Sequence, residues 1–360
     1  MPERIFNFSP GPSILPYPVL QQAARDIVNF NDKGIGLIEL SHRSKEFMAV
    51  ADETESLIRQ NLHVPDNYKV LFLQGGASSQ FYMIPMNLLG NGKKATYLNT
   101  GTWSNKAIKE ARLFGEIDVA YSSENSKFNR VPENNGYSVS PDSEYLYFVS
   151  NNTIYGTQYQ SFPEKDSVLI SDMSSDICSR PVDISKFGLI FAGAQKNMGP
   201  AGVTVVIIRE DLLNNTPDNV PTMLRYSTHA DKGSMFNTPP CFAIYCVGQV
   251  MKWLKENGGV EEISKINEDK ASLLYNAIDS TDFYKGHAEL QSRSRMNVSF
   301  NLPTPEHEAQ FIAEATSVGL DGLKGHRSIG GCRASIYNAF PKEGVEKLVQ
   351  FMEEFAKANG

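Results

Sequence analysis

The sequence predicts an α/β protein: a large unit built on a mainly parallel, doubly wound sheet, followed by a smaller α+β unit. Three observations carry this. Short apolar runs recur between Val70 and Ile208, the first of them separated by helix-patterned stretches. That is the rhythm of parallel strands joined by crossover helices. After about residue 255 the rhythm changes to longer helical stretches around isolated strands. The chain has 360 residues, enough for two sizeable cores.

In chain order, residues 1–15 are rich in Pro and Gly and read as an extended arm. A helix pattern covers residues 17–30, and Asn31–Gly36 is a loop. Residues 44–62 repeat apolar positions at helical spacing, with Ser44 as the N-cap. Then come a strand at Val70–Leu73, a helix at Ser79–Leu89, a strand at Ala95–Asn99 and a helix at Ser104–Phe114. Further strands are expected at Ile117–Ala120, Tyr145–Ser150, Val168–Ser171, Leu189–Ala192 and Val203–Ile208. A long helix near 241–257 joins the two units. In the second, helices at 260–279, 305–318 and 342–358 bracket strands at Met296–Asn301 and near Arg333–Ile336. The expected organisation is therefore an arm (1–15), a large domain (16–255) and a small C-terminal domain (256–360). No Pro/Ser-rich linker parts the two domains, so close packing is expected.

Composition narrows the function classes. Apolar residues make up 41% and charged residues 21% of the chain, ordinary for a globular protein. The formal charge of −7 argues against broad nucleic-acid or anionic-membrane binding, while leaving room for a local basic pocket. No apolar run reaches membrane-spanning length, and the N-terminus lacks the layout of a signal peptide. Cys178, Cys241, Cys246 and Cys332 have no CxxC spacing and the six histidines no ligand pairing, so no metal site or disulfide framework is indicated. A reduced, cytoplasmic, metal-free protein is expected.

Lys196 is the most informative residue. The run Phe187–Gly193 delivers it to a glycine-broken turn, and the β-branched run Val203–Ile208 leaves immediately. A lysine amine held at the mouth of a buried sheet is desolvated, which lowers its pKa and frees it to attack carbonyls. Pyridoxal phosphate (PLP) enzymes hold their cofactor in this way. A solvated lysine on a hairpin turn is the competing reading, and the other motifs weigh against it.

Gly75–Phe81 (GGASSQF) follows an apolar strand and opens a helix. Its backbone N–H groups and helix end suit a phosphate, although neither a P-loop nor a GxGxxG pattern is present. A plain glycine turn with a serine cap fits equally well. Asp172 ends an apolar strand, where ligands of open α/β sheets gather; there it could face a pyridine nitrogen or merely cap a helix. Trp103 lies in a loop just after a strand, placed to stack on a flat ring or to pack in the core. His42 and Arg43, and later His326, Arg327 and Arg333, form two basic clusters in an acidic protein. Arginine forks bind carboxylates and phosphates, so two clusters suit a substrate with an anion at each end. Cys332, at the start of a strand, reads as a small buried residue.

With these pieces assembled, the chain resembles the phosphoserine aminotransferase family, class V of the fold-type I PLP enzymes. The resemblance runs nearly end to end. It rests on Asn7–Pro12, Ser41–Phe47, Gly75–Phe81, Gly101–Ser104, Asn152–Thr153, Ser171–Met173, Ala194–Asn197, Asn237–Pro240, Gly325–Arg327 and Arg333–Asn338. The lysine motif marks class V broadly; the two His-Arg motifs and the N-terminal FSPGP are specific to the family. The resemblance implies a seven-stranded large-domain sheet and a homodimer with sites shared across its interface.

It also implies roles. Lys196 holds the cofactor and moves the substrate Cα proton, Asp172 faces the pyridine nitrogen, Trp103 stacks on the ring and Thr153 bonds the phenolic oxygen. Ala77, Ser78 and Gln195 hold the phosphate, with Asn237 and Thr238 of a second subunit. Arg333 takes the α-carboxylate, while His42, Arg43, His326 and Arg327 take the distal anion. Ser9 lies where the arm reaches the substrate. Some family members carry arginine at the position of Ser78, so phosphate binding here leans on backbone and hydroxyl donors. The implied reaction converts L-glutamate and 3-phosphohydroxypyruvate to O-phosphoserine and 2-oxoglutarate, with a phosphorylated threonine precursor of vitamin B6 as a second substrate. The alternatives are a glyoxylate-type aminotransferase, a desulfurase using Cys332, and a non-catalytic phosphate-binding α/β protein.

Overall fold

The computed structural model describes residues 4–90, 92–214 and 216–360; the first three residues of the expected arm lie outside them. The arm carries a two-residue strand, β1 (Phe6–Asn7). Helices α1 (Tyr17–Val28) and α2 (Lys45–Leu62) follow. The Ser44 hydroxyl accepts from the Phe47 N–H at 3.2 Å and so starts α2, as its sequence position requires. The alternating region supplies β2 (Tyr68–Leu73), α3 (Gly76–Leu88), β3 (Lys94–Asn99), α4 (Thr102–Ala111), β4 (Glu116–Ser122) and β5 (Ser143–Val149). A small hairpin, β6 (Asn151–Asn152) and β7 (Thr157–Gln158), precedes β8 (Leu169–Asp172), β9 (Phe187–Gly193) and β10 (Thr204–Arg209). Then come α5 (Tyr226–Asp231), α6 (Cys241–Glu256), α7 (Gly259–Asp279), β11 (Lys285–Gly286) and β12 (Asn297–Asn301). The chain ends with α8 (Pro305–Ser317), β13 (Leu320–Asp321), β14 (Cys332–Ser335) and α9 (Lys342–Asn359).

Seven strands form the main sheet in the order β2-β10-β9-β8-β5-β3-β4. Only β10 runs against its neighbours, β9 and β2. The connection from β9 to β10, residues 194–203, holds no crossover helix, and a connection that short can join only antiparallel strands. Because β2 is reversed relative to β10, it points the same way as β9, β8, β5, β3 and β4. The carboxyl ends of these strands therefore share one edge. Gly75, Trp103, Thr153, Asp172 and Lys196 follow or end β2, β3, β5, β8 and β9, so the topology alone gathers them.

The sheet is buried on both faces, and the strand period of two decides which side chain goes where. Phe72, Phe148, Ile190, Ala192 and Val205 pack with Leu57 and Ile58 of α2 and with Val247, Met251 and Leu254 of α6. Their neighbours Leu71, Leu73, Leu189, Phe191 and Val206 pack with Phe81 and Ile84 of α3 and with Ala107 and Ile108 of α4. Each such fully buried Leu, Ile or Phe contributes about 1.5–3 kcal/mol relative to exposure. This two-sided cladding holds the strand ends, and the site on them, in register.

A second core gathers the antiparallel sheet β11-β12-β14 with the later helices. Val298, Phe300, Ala334 and Ile336 meet Leu274, Phe311, Leu348 and Met352. The arm is tied to this part of the chain, since β1 pairs in parallel with β13, Phe6 opposite Leu320. Farther along, Pro10 O accepts from the Tyr337 hydroxyl at 2.7 Å.

Some local expectations shift. α3 starts at Gly76, three residues before Ser79, because Gly75 and Gly76 take positive φ (+92° and +67°) and make the reversal themselves. Trp103 sits in the first turn of α4 rather than in a loop. The two-residue strands are too short for alternation to reveal.

Candidate active site

The strand ends enclose a cavity of about 150 Å³ lined by Ala77, Ser78, Trp103, Thr153, Asp172, Gln195 and Lys196, all singled out from the sequence. Gly76, Val149, Asn151, Ser174 and Ser175 complete the lining. One wall is the N-terminus of α3. No side chain caps it, and the first N–H groups of a helix have no partner within it. A Cβ at Gly75 would come within 1.8 Å of Ser79 Oγ, so the chain can bend this closely only at a glycine. The wall offers backbone donors and a partial positive charge to an anion.

Lys196 Nζ donates to Thr153 Oγ1 at 2.5 Å. Burial, reinforced by the positive charge of Arg333, brings its amine down to about 8, against the pull of Asp172 and Asp176. The turn that carries it is pinned by the arm: Ser13 Oγ donates to Lys196 O at 2.6 Å and Ser13 N to Gln195 O at 3.0 Å. Asp172 is 4% exposed, and its carboxylate accepts from the Ser174 N–H at 2.9 Å. Burial raises its pKa, while the Ser174 bonds and Lys196 oppose the rise. The low dielectric thus presses the lysine and the carboxyl alike toward their neutral forms.

Arg333 lies on β14, and its positive charge acts on Lys196 without its lining the cavity. Its residue is 6% exposed, and its guanidinium has no hydrogen-bond or ion-pair partner among the described residues; the Nε is buried without one. A buried, unpaired guanidinium is costly, so Arg333 calls for an anion beside it. His326 and Arg327 lie on the loop before β14. Burial, then the charges of Arg333, Arg327 and Lys106, lower the His326 pKa. Ser9 sits farther back, its Oγ 2.7 Å from where a Cβ on Gly322 would be.

Of the residues singled out from the sequence, Ser9, His42, Arg43, Asn237, Thr238, His326, Arg327 and Arg333 do not line this cavity. Asn237 and Thr238 line a separate cavity of about 230 Å³ beyond Gly75 and Ser79, beside His229 and Ser234. His42 and Arg43 precede α2, where Arg43 N donates to Ser41 Oγ. Cys332, 0% exposed and driven above the usual thiol range by burial, packs in the second core.

Sequence reasoning missed the polar scaffold behind the site. Asn297 donates to the Tyr337 hydroxyl at 3.1 Å and Asn151 donates to Asn297 Oδ1 at 2.8 Å. Asn338 N donates to Asn197 Oδ1 at 3.0 Å, tying the residue after Lys196 to the segment after Arg333. Lys270, fully buried on α7, donates to Ile336 O, Tyr337 O and Phe340 O at 3.0, 2.7 and 3.0 Å. A lysine in an otherwise amphipathic helix carries no signal of this role, because its partners are backbone carbonyls.

The residues fit pyridoxal phosphate. An uncapped helix end suits the phosphate, Lys196 suits a carbonyl carbon, and Asp172 suits a protonated ring nitrogen. Trp103, on the cavity wall, offers a flat aromatic face to a ring; its in-plane indole Nε1 is a buried donor without a protein partner.

Comparison with known proteins agrees with this geometry. The family described as Aminotransferase class-V matches residues 5–348. The phosphoserine aminotransferase of Desulfotalea psychrophila (strain LSv54 / DSM 12343) is 69% identical over 359 residues, covering 100% of this chain and 99% of that protein. The solved phosphoserine aminotransferase from Bacillus circulans subsp. alkalophilus superposes with a TM-score of 0.97 at 49% identity and covers 99% of each chain. The PLP-bound phosphoserine aminotransferase from Trichomonas vaginalis gives 0.93 at 40%, covering 97% of this chain and 100% of its own.

Proposed function

Starting from the chain's membership of the class-V aminotransferase family, we propose how its own residues carry out the reaction. The activity is that of a phosphoserine aminotransferase, with pyridoxal phosphate as cofactor. The amino donor is L-glutamate and the acceptor 3-phosphohydroxypyruvate, giving 2-oxoglutarate and O-phospho-L-serine. When bound, the cofactor supplies an electron sink for the negative charge that develops at the substrate Cα.

The chain's residues do the rest. The N–H groups of Gly76, Ala77 and Ser78, with Gln195, hold the cofactor phosphate. Trp103 offers its face to the ring, Thr153 its hydroxyl to the phenolic oxygen, and Asp172 its carboxylate to the ring nitrogen. Lys196 takes the proton from the substrate Cα, and an amine near pH 8 is poised for that transfer. Arg333 receives the α-carboxylate. His326 and Arg327 receive the distal anion, which is the phosphate of one substrate and the side-chain carboxylate of the other.

His42, Arg43, Asn237 and Thr238 complete the site of a second copy in a homodimer, and Ser9 closes the arm side. Residues 16–255 act as the cofactor-binding domain and 256–360 as the small domain, and the described part of the arm, residues 4–15, packs near the active site and the small domain. The same distal cluster suits the phosphorylated threonine precursor of vitamin B6. We place the enzyme in the cytoplasm, without nucleic-acid or membrane partners; no helix of the described residues is long and apolar enough to cross a membrane.

One observation carries this reading: the buried Arg333 guanidinium, without a partner among the described residues and with its charge acting on the Lys196 amine, has further basic groups on the preceding loop. The test is a paired assay of glutamate with 3-phosphohydroxypyruvate and with the same acceptor lacking its phosphate. The phosphorylated acceptor is expected to win in kcat/KM by orders of magnitude; equal values refute the role of the basic cluster.

A further inference from the structure

Resting on the reading of Arg333 as the α-carboxylate clamp, we propose that Asn297 is a positioning residue: through it, the strand that carries Arg333 is held in register against the cavity wall. Asn297 opens β12 and is fully buried. In the antiparallel pair with β14 it stands opposite Ser335, and Ser299 stands opposite Arg333. Side chains directly opposite share a face of the sheet, with Cβ atoms about 4.5–5.5 Å apart. Val298, Phe300 and Ala334, which alternate with these four, turn to the second core. Asn297, Ser299, Arg333 and Ser335 therefore share the other face.

That face meets the hairpin β6–β7. Ser299 Oγ donates to Ile154 O at 3.0 Å, one residue beyond Thr153, whose hydroxyl accepts from Lys196 Nζ. Asn151 Nδ2 donates to Asn297 Oδ1 and to Ser175 Oγ, each at 2.8 Å, and Asn151 and Ser175 both line the cavity. From its other side, Asn297 Nδ2 donates to Ser335 Oγ at 3.0 Å and to the Tyr337 hydroxyl at 3.1 Å. The backbones are close as well: a Cβ on Gly156, in the hairpin turn, would lie 2.8 Å from Asn297 O.

The amide has no choice of orientation. The one proton of the Tyr337 hydroxyl goes to Pro10 O at 2.7 Å, so that oxygen must accept from Asn297, and both Nδ2 protons are spent. A single side chain thus joins the cavity wall, β14 and, through Tyr337, the arm. A buried network satisfied in this way holds its members in one arrangement. The Arg333 guanidinium has no protein partner of its own to aim it among the described residues. Its aim is set by the strand beneath it, and the strand is set by Asn297, two residues along the same face.

The experiment is a double-mutant cycle on the holoenzyme with Asn297→Ala, Arg333→Met and the two combined. It reads kcat/KM for glutamate and for 3-phosphohydroxypyruvate, with the melting temperature alongside. Both substrates carry an α-carboxylate, so Asn297→Ala is expected to lose on the order of tenfold with each. In the Arg333→Met background the same change is expected to cost about twofold or less, because no guanidinium is left to aim. A tenfold loss in both backgrounds would mean that Asn297 only supports the fold, and would overturn the proposal. So would unaltered kinetics in Asn297→Ala. Ser335→Ala removes the β14 end of the tie and carries the same cycle if Asn297→Ala does not fold. Its expected loss is about threefold in the parent and none beside Arg333→Met; equal losses in both refute the proposal. If Arg333→Met alone leaves glutamate kinetics unaltered, the clamp reading fails first, and that outcome is distinct because it appears with Asn297 intact.

Discussion

Arg333→Met separates function from stability. Arg333 is 6% exposed and its guanidinium has no protein partner among the described residues. An ion held this way carries a desolvation penalty of several kcal/mol, and replacing buried charges with apolar residues of similar volume is often neutral or stabilising by about 1–4 kcal/mol. Methionine retains the stem's contacts and adapts to the gap. We therefore expect the unliganded variant to melt at the same temperature as the parent or a few degrees higher. The loss appears in binding. Removing one partner of a buried, charge-assisted pair costs about 3–5 kcal/mol, which at 1.4 kcal/mol per decade is roughly two to three and a half decades in kcat/KM for glutamate. Calorimetric melting and steady-state kinetics on the same preparation test both halves. A variant that melts well below the parent would show that the guanidinium holds the fold. Unaltered glutamate kinetics would refute its role as the carboxylate clamp.

Two further predictions concern the buried lysines. Because the Lys196 amine is brought down to about 8, the rate at which apoenzyme captures pyridoxal phosphate should climb as pH rises through that value and then level off. Absorbance stopped-flow measures it, and a rate still climbing steeply at pH 10 would contradict the depressed value; Lys196→Ala should show no covalent capture and no turnover. Lys270 is pushed down to about 7 by burial. Between that pH and the ordinary lysine value, the folded state binds fewer protons than the unfolded one, so Lys270 makes stability rise with pH across that window and withdraws the gain as pH falls through 7. In Lys270→Met the pH-dependent rise should flatten, and below pH 7, where the ammonium has a proton for each of them, three carbonyls lose their donor, lowering stability there by about 1–3 kcal/mol for each that stays dry. Denaturant melts across pH check both, and a slope identical to the parent's would exclude Lys270 as its source.

Much of this protein was legible in the chain because its signals are local. A buried parallel sheet needs unbroken apolar strands, so the main strands could be read off one after another, and a helix that opens on Gly75 and Gly76 advertises an anion cup. Lys196, Asp172 and Trp103 stood out for the same reason: each lies within a few residues of a strand end, where open sheets gather their ligands. The sequence by itself thus determined the strands of the sheet and the residues at their ends.

What it could not determine depends on residues far apart in the chain. The short connection from β9 to β10 makes β10 the one reversed strand, and pairing geometry then turns β2, with the glycine cup at its end, toward the same edge as Lys196. That Arg333 is buried without a partner, that Ser13 pins the lysine turn, and that Lys270 gathers three carbonyls all depend on how distant segments pack together. Backbone carbonyls have no residue type, and an unpaired charge is defined by what surrounds it. Only the folded chain, by burying these groups together, decides which of its many cations are left waiting for an anion.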